Sequence, residues 1–208
     1  MILLGVMVNH EVKSNGESGN GLYDIALVKG GRAAIFELKK SPAELYMLSD
    51  ALRGIMQIRE RHYGVEFEIR GYEVIHYGIS FFKKGCFVLL EKTIDEDLID
   101  KAIGDMEAAI WIINWKIDKD LRTAYAKKKT KPAELPPEEK FPNSENWYPE
   151  REKEITQFKE FLDSKTNLNY VLFRDTTTKL LRDLKWLLET EQSRAGNQTL
   201  LDVLLIKA

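Results

Sequence analysis

Apolar positions along this chain change their period once. Through residues 1 to about 92 they fall in short runs and alternations punctuated by glycine, which is how strands read. From about residue 94 they recur at helical spacing, and the acidic Thr93-Ile-Asp-Glu-Asp97 suits a helix start. That helix is expected to run through Trp111 and Trp115 to about Lys129, with both indoles serving as core or interface. Pro132, Pro136, Pro137, Pro142 and Pro149 then break the pattern, and two more helices are expected at about 150–165 and 175–192. The division is therefore a core over 1–92 and a helical region over 93–208, with a proline-rich connector at about 130–149.

Within the first half, two apolar runs flank Gly30-Gly31, a strong signal for a two-residue hairpin turn. If the loop is those two residues, Lys29 pairs with Arg32 and opposed residues have numbers that sum to 61. Since 24 + 37 = 61, Asp24 is expected opposite Glu37, with Lys39 returning to the same face two residues on. Ala26, Val28, Ala33 and Ile35 make that face apolar as well, while Tyr23, Ile25, Phe36 and Leu38 point the other way, so both faces are expected to be covered. Ser41-Pro-Ala-Glu44 reads as a capping box opening a helix whose apolar stripe is Leu45, Leu48, Leu52, Ile55 and Met56. Gln57 falls off that stripe. Residues 72–82 and 86–90 read as two more strands around the turn at Lys83-Lys-Gly85. The order predicts an α/β core, a mixed sheet with at least one helix across it, followed by an all-helical region.

Composition narrows the classes. The 208 residues carry a formal net charge of −2, so a grip on a polyanion must come from a local patch. One such patch spans 116–132, where Lys127, Lys128 and Lys129 could track a phosphate backbone, although lysines also suit a helix C-terminus. Cys86 is the sole cysteine, which excludes an internal disulfide and a cysteine-rich zinc site and fits a cytoplasmic setting. His10, His62 and His76 have no metal-ligand spacing. No stretch is long and apolar enough for a membrane helix, and apolar residues 1–8 read as a buried first element rather than a signal peptide.

Two opposed carboxylates are unfavourable in a sheet unless something lies between them. A hard divalent cation, Mg²⁺ or Mn²⁺, would balance Asp24 and Glu37 and polarise a phosphate, with Lys39 beside it. A solvated strand end carrying casual charges reads the same way.

The segment Ser14-Asn-Gly-Glu-Ser-Gly-Asn-Gly-Leu-Tyr-Asp-Ile25, then Phe36-Glu-Leu-Lys39, Ala51-Leu52, Gln57-Ile58 with Tyr63, and Tyr77-Gly-Ile-Ser-Phe81 with Lys83 or Lys84 carries more than its pieces. Together these resemble the PD-(D/E)xK nuclease superfamily, in the branch often found C-terminal in large AAA-ATPase-like bacterial proteins. The resemblance covers about residues 5–92 and implies a restriction-endonuclease-like sheet. It implies Asp24 and Glu37 as metal ligands, Lys39 as the catalytic lysine and Gln57 as a helix glutamine at the active site. Glu17 is a further acidic candidate in a turn-like context that equally suits capping, and Tyr63 is expected to pack. Gly16 and Leu22 stand where that branch has arginines.

The function implied is metal-dependent hydrolysis of phosphodiester bonds in nucleic acid, DNA before RNA, by a stand-alone protein or one half of a split system. The alternatives are a silent nuclease fold that binds nucleic acid, and an interaction or inhibitor protein of bacterial defence and mobile-element conflict. In the latter the helical half would engage a protein partner or a second copy.

Overall fold

The computed structural model describes residues 11–128 and 152–206. Five strands, β1 (Glu11–Ser18), β2 (Gly21–Lys29), β3 (Arg32–Lys40), β4 (Glu73–Phe82) and β5 (Gly85–Leu90), form one sheet in chain order. All neighbours are antiparallel except β3 and β4, which are parallel and joined across one face by α1 (Met47–Arg61) and the short α2 (Val65–Ile69). The helical half comprises α3 (Glu96–Lys128), α4 (Glu152–Asp163) and α5 (Tyr170–Ile206). The fold is thus α/β, a five-stranded mixed sheet with flanking helices and a helical C-terminal region. Among the described residues no helix is long and apolar enough to cross a membrane.

The hairpin turns where the two glycines require it. Gly30 and Gly31 have φ of +56° and +78°, and Lys29 pairs with Arg32, so the sum of 61 holds along the ladder to Ile25 and Phe36. The polar strand β1 escapes the period-2 pattern. Its residues are mostly exposed because it is an edge strand, and Glu17 belongs to it rather than to a turn.

Alternation is interrupted at one rung. β1 and β2 pair from Glu11 to Ser14 and again from Gly16 to Ser18, with no rung between Asn15 and Asp24, and Asn15 has φ +48°. Beyond this break Tyr23 lies against Phe67 of α2, the ring that also receives Lys13, the rung partner of Ala26. Tyr23 therefore joins the helix-covered face and is 1% exposed, instead of pointing away from it. The opposite face is only half-covered. Ile25, Phe36 and Leu38 are partly exposed, and Phe36 stacks on its neighbour Tyr77 with centroids 5.0 Å apart.

The predicted capping box does not form. Ser41 is buried and donates to Asp50 at 2.7 Å; a 3₁₀ turn over Glu44–Tyr46 precedes α1, and no side chain caps either. The predicted stripe from Leu45 to Met56 is buried, but so are Ser49, Asp50, Ala51, Gly54 and Ile58. α1 is enclosed because the sheet lies on one side and the helical half on the other. One hydrophobic cluster runs from Tyr23 and Ile35 through Leu52 and Ile55 to Ile112, Phe158 and Leu184. Tyr46 ties the halves, stacking on Phe173 and sharing a 2.7 Å hydrogen bond with Thr177 of α5. Trp111 and Trp115 are half-buried, and Lys159 of α4 lies over both rings.

Candidate active site

The site begins with a close approach of backbone to backbone. A Cβ on Gly78, the β4 neighbour of Glu37, would lie 2.0 Å from the carbonyl oxygen of Ala51, and one on Gly54 would lie 3.3 Å from Gly78 Cα. Only glycines allow α1 to sit this low on the sheet. Gln57, one turn beyond Gly54, is thereby carried to the end of β3.

There the side chains converge. Lys39 Nζ donates to Glu37 Oε1 at 2.8 Å and to Gln57 Oε1 at 2.6 Å. Gln57 Nε2 reaches the Tyr63 hydroxyl at 3.4 Å, so Tyr63, at 5% exposure, orients the glutamine as well as packing. The β2–β3 ladder ends one rung before Asp24 and Glu37. In place of a backbone rung, Asp24 Oδ2 accepts the Leu38 N–H at 2.7 Å. The break at Asn15 and the parting of the strands here free the Asp24 carboxylate to turn toward β3.

Glu37 is 3% exposed and its second oxygen, Oε2, is buried without a hydrogen-bond partner. Burial raises its pKa above the ordinary carboxylate range; Lys39 and, more weakly, Gln57 oppose this, and the Asp24 charge adds to it. An uncompensated buried oxygen beside a second carboxylate suits a cation. Among the described residues no group of three or more His, Cys, Asp and Glu side chains could hold a metal ion. Two carboxylates are nevertheless the usual protein share for Mg²⁺, which keeps water and phosphate oxygens as its other ligands.

Sequence reasoning missed Asp50. It is 2% exposed, accepts from Ser41 and pairs with Arg53 Nη2 at 2.9 Å; burial raises its pKa, which Arg53, Ser41 and Lys39 oppose. Its signal was Ser41, which reads locally as a cap and instead serves a carboxylate nine residues away. Glu17 is exposed, opposite Leu22, and takes no part in the network. The side chains of Lys127 and Lys128, and all of Lys129, lie outside the described residues, as do Trp147, Tyr148 and the prolines of the connector.

A family model described as PD-(D/E)XK nuclease superfamily matches residues 1–91, somewhat under half of the chain. This is the stretch that contains Asp24, Glu37, Lys39 and Gln57, and the mixed sheet with flanking helices is consistent with the α/β fold of that superfamily. No curated protein and no solved structure matches the chain.

Proposed function

We propose that the protein is a metal-dependent nuclease hydrolysing phosphodiester bonds, with DNA favoured over RNA. The observation that carries this reading is Glu37, a buried carboxylate with one oxygen on Lys39 and the other unpartnered, beside Asp24. Asp24 and Glu37 would hold Mg²⁺ or Mn²⁺, which supplies a Lewis acid to polarise the scissile phosphate and make an attacking water more acidic.

The chain's own groups divide the remaining work. Lys39 has three N–H donors, of which Glu37 and Gln57 take two, leaving one for a phosphate oxygen or the attacking water. With two acceptors already on it, this nitrogen serves as a donor that stabilises negative charge developing on the phosphate. Gln57 fixes the direction of the ammonium, and Tyr63 fixes Gln57. Asp50 is buried, its carboxyl feels the Lys39 charge, and it anchors Arg53, one turn before Gln57 on α1.

The test is cleavage of single-stranded, double-stranded and circular DNA, and of RNA, with Mg²⁺, Mn²⁺ or EDTA. Metal-dependent cutting by the wild type, reduced by roughly 10²–10⁴-fold in Lys39→Ala with circular dichroism unchanged, is the expected result. A folded wild type that cuts none of these substrates with either metal would refute the reading.

A further inference from the structure

Beside Gln57 lies a cleft of about 570 Å³ lined from three sides, one of them Asn20, Gly21 and Leu22 where β1 turns into β2. α1 supplies Arg53, Gln57 and Arg61 to one wall, and Asp183 of α5 faces them. The bonds of α5 show how it is turned. Lys185 donates to Glu107 at 2.8 Å and Gln192 to Glu96 at 3.2 Å, so that side of the helix faces α3. Asp183 marks the opposite flank. Lys179 and Trp186 lie one turn before and one turn after it, on the same flank but turned farther toward solvent. Trp186 is 55% exposed, and Lys179 is exposed with no ion pair among the described residues.

The two arginines are held differently. Arg53 is anchored by the buried Asp50 carboxylate. The Arg61 side chain is exposed and, among the described residues, donates to the Asn20 carbonyl alone, at 3.3 Å, leaving most of its donors available. Glu60 and Asp183 lie among these cations, so the cleft is not a simple basic patch. The open indole of Trp186, one helical turn along from Asp183, therefore offers what charge alone does not.

We propose that this cleft takes a single strand of nucleic acid, with a base stacked on Trp186 and phosphates against Arg53, Arg61 and Lys179. The proposal rests on the nuclease reading of the adjoining carboxylates and adds the substrate's form. A base must expose its face to stack on an indole, which an unpaired strand allows and an intact duplex does not. The helical half then supplies one side of the substrate channel. With so few cations, the salt dependence of binding is shallow, at about −0.7 in log–log slope for each phosphate engaged.

The experiment is anisotropy titration of a fluorescein-labelled oligothymidylate of about 12 nucleotides, within the range such grooves cover, in EDTA so that nothing is cut. Wild type is expected to bind it more tightly than the matching duplex and to show quenched tryptophan fluorescence. Trp186→Ala should weaken binding roughly 5- to 150-fold, Trp186→Phe should retain most affinity while losing the quench, and Arg61→Gln should flatten the salt slope. These side chains are exposed, and circular dichroism checks that each variant folds. Wild type that prefers duplex, fails to bind, or binds as tightly after Trp186→Ala overturns the inference; so does a quench that survives in Trp186→Phe. Metal-dependent cleavage that persists alongside such a result would leave the nuclease reading standing. Trp186-dependent binding by a protein that never cuts would do the reverse.

Discussion

Glu37 and Glu91 are the same residue type, each largely withdrawn from water beside α1, and the fold treats them in opposite ways. Glu91 follows β5 and has a partner on each oxygen. Arg59 Nε donates to Oε1 at 2.5 Å and His76 Nδ1 lies 2.6 Å from Oε2, while Arg59 continues to Glu191 on α5 at 2.6 Å. The His76 hydrogen bond, reinforced by Arg59 against the cost of burial, lowers the Glu91 pKa to about 2. Glu37 has Lys39 on Oε1 and, among the described residues, no hydrogen-bond partner on Oε2, and burial moves its pKa upward. A fully partnered, partly buried carboxylate is a staple; a buried one left half-partnered is available to something the chain does not contain.

The largest effect should come from removing the staple. Glu91→Gln leaves Arg59 and Glu191 without their shared anchor between sheet, α1 and α5, and is expected to cost about 2 kcal/mol, within the range for hydrogen bonds to charged groups. Chemical denaturation would read this as a lower midpoint at unchanged slope. The sign with pH follows from the depressed value. Glu91 stabilises the fold above its ordinary 4.5 and loses that contribution as pH falls toward about 2, so acid unfolding of the wild type should be steep in that window and flatter in the variant. An unchanged midpoint in Glu91→Gln would remove the contrast between the two glutamates.

Glu37 should show the complementary behaviour. Its raised pKa means that the ionised form opposes folding at neutral pH when no cation is present, so Glu37→Gln without metal should cost little or even stabilise. Mn²⁺ or Mg²⁺ at ten times its dissociation constant should stabilise the wild type by about 1.4 kcal/mol and the variant not at all. Differential scanning fluorimetry with and without EDTA measures both. An equal shift in wild type and Glu37→Gln would place the cation elsewhere.

How much of this was legible in the sequence differs by residue. The Gly30-Gly31 turn fixed the register of β2 and β3, because a two-residue loop admits only one pairing, and the pattern of α1 located its core side. Tyr23 was misplaced because period-2 alternation assumes an unbroken ladder, and the break at Asn15 has no signature in hydrophobic pattern. Edge strand β1 was invisible for a related reason, since a strand with little to bury need not alternate. Gln57 read as surface by helical position because α1 was treated as having one neighbour; enclosure between sheet and helical half, and the low seat allowed by Gly54 and Gly78, put it on Lys39. Ser41 shows the limit of local motifs, as its hydroxyl serves a buried carboxylate and not a helix end.

The smallest expected effect sharpens where the site ends. Glu17 lies on edge strand β1, exposed, opposite the equally exposed Leu22, and outside the bonds joining Asp24, Glu37, Lys39 and Gln57. An exposed carboxylate has water for every lone pair, so it lacks the unmet demand that distinguishes Glu37 from Glu91. Glu17→Gln is therefore expected to change cleavage by less than about twofold, the scale of a surface substitution away from special features, and to leave the metal-dependent shift intact, whereas Asp24→Asn should abolish both. A loss of cleavage in Glu17→Gln comparable to that in Asp24→Asn would mean that β1 closes over the site when substrate arrives. Burial in the free protein would then be the wrong criterion for telling working carboxylates from structural ones.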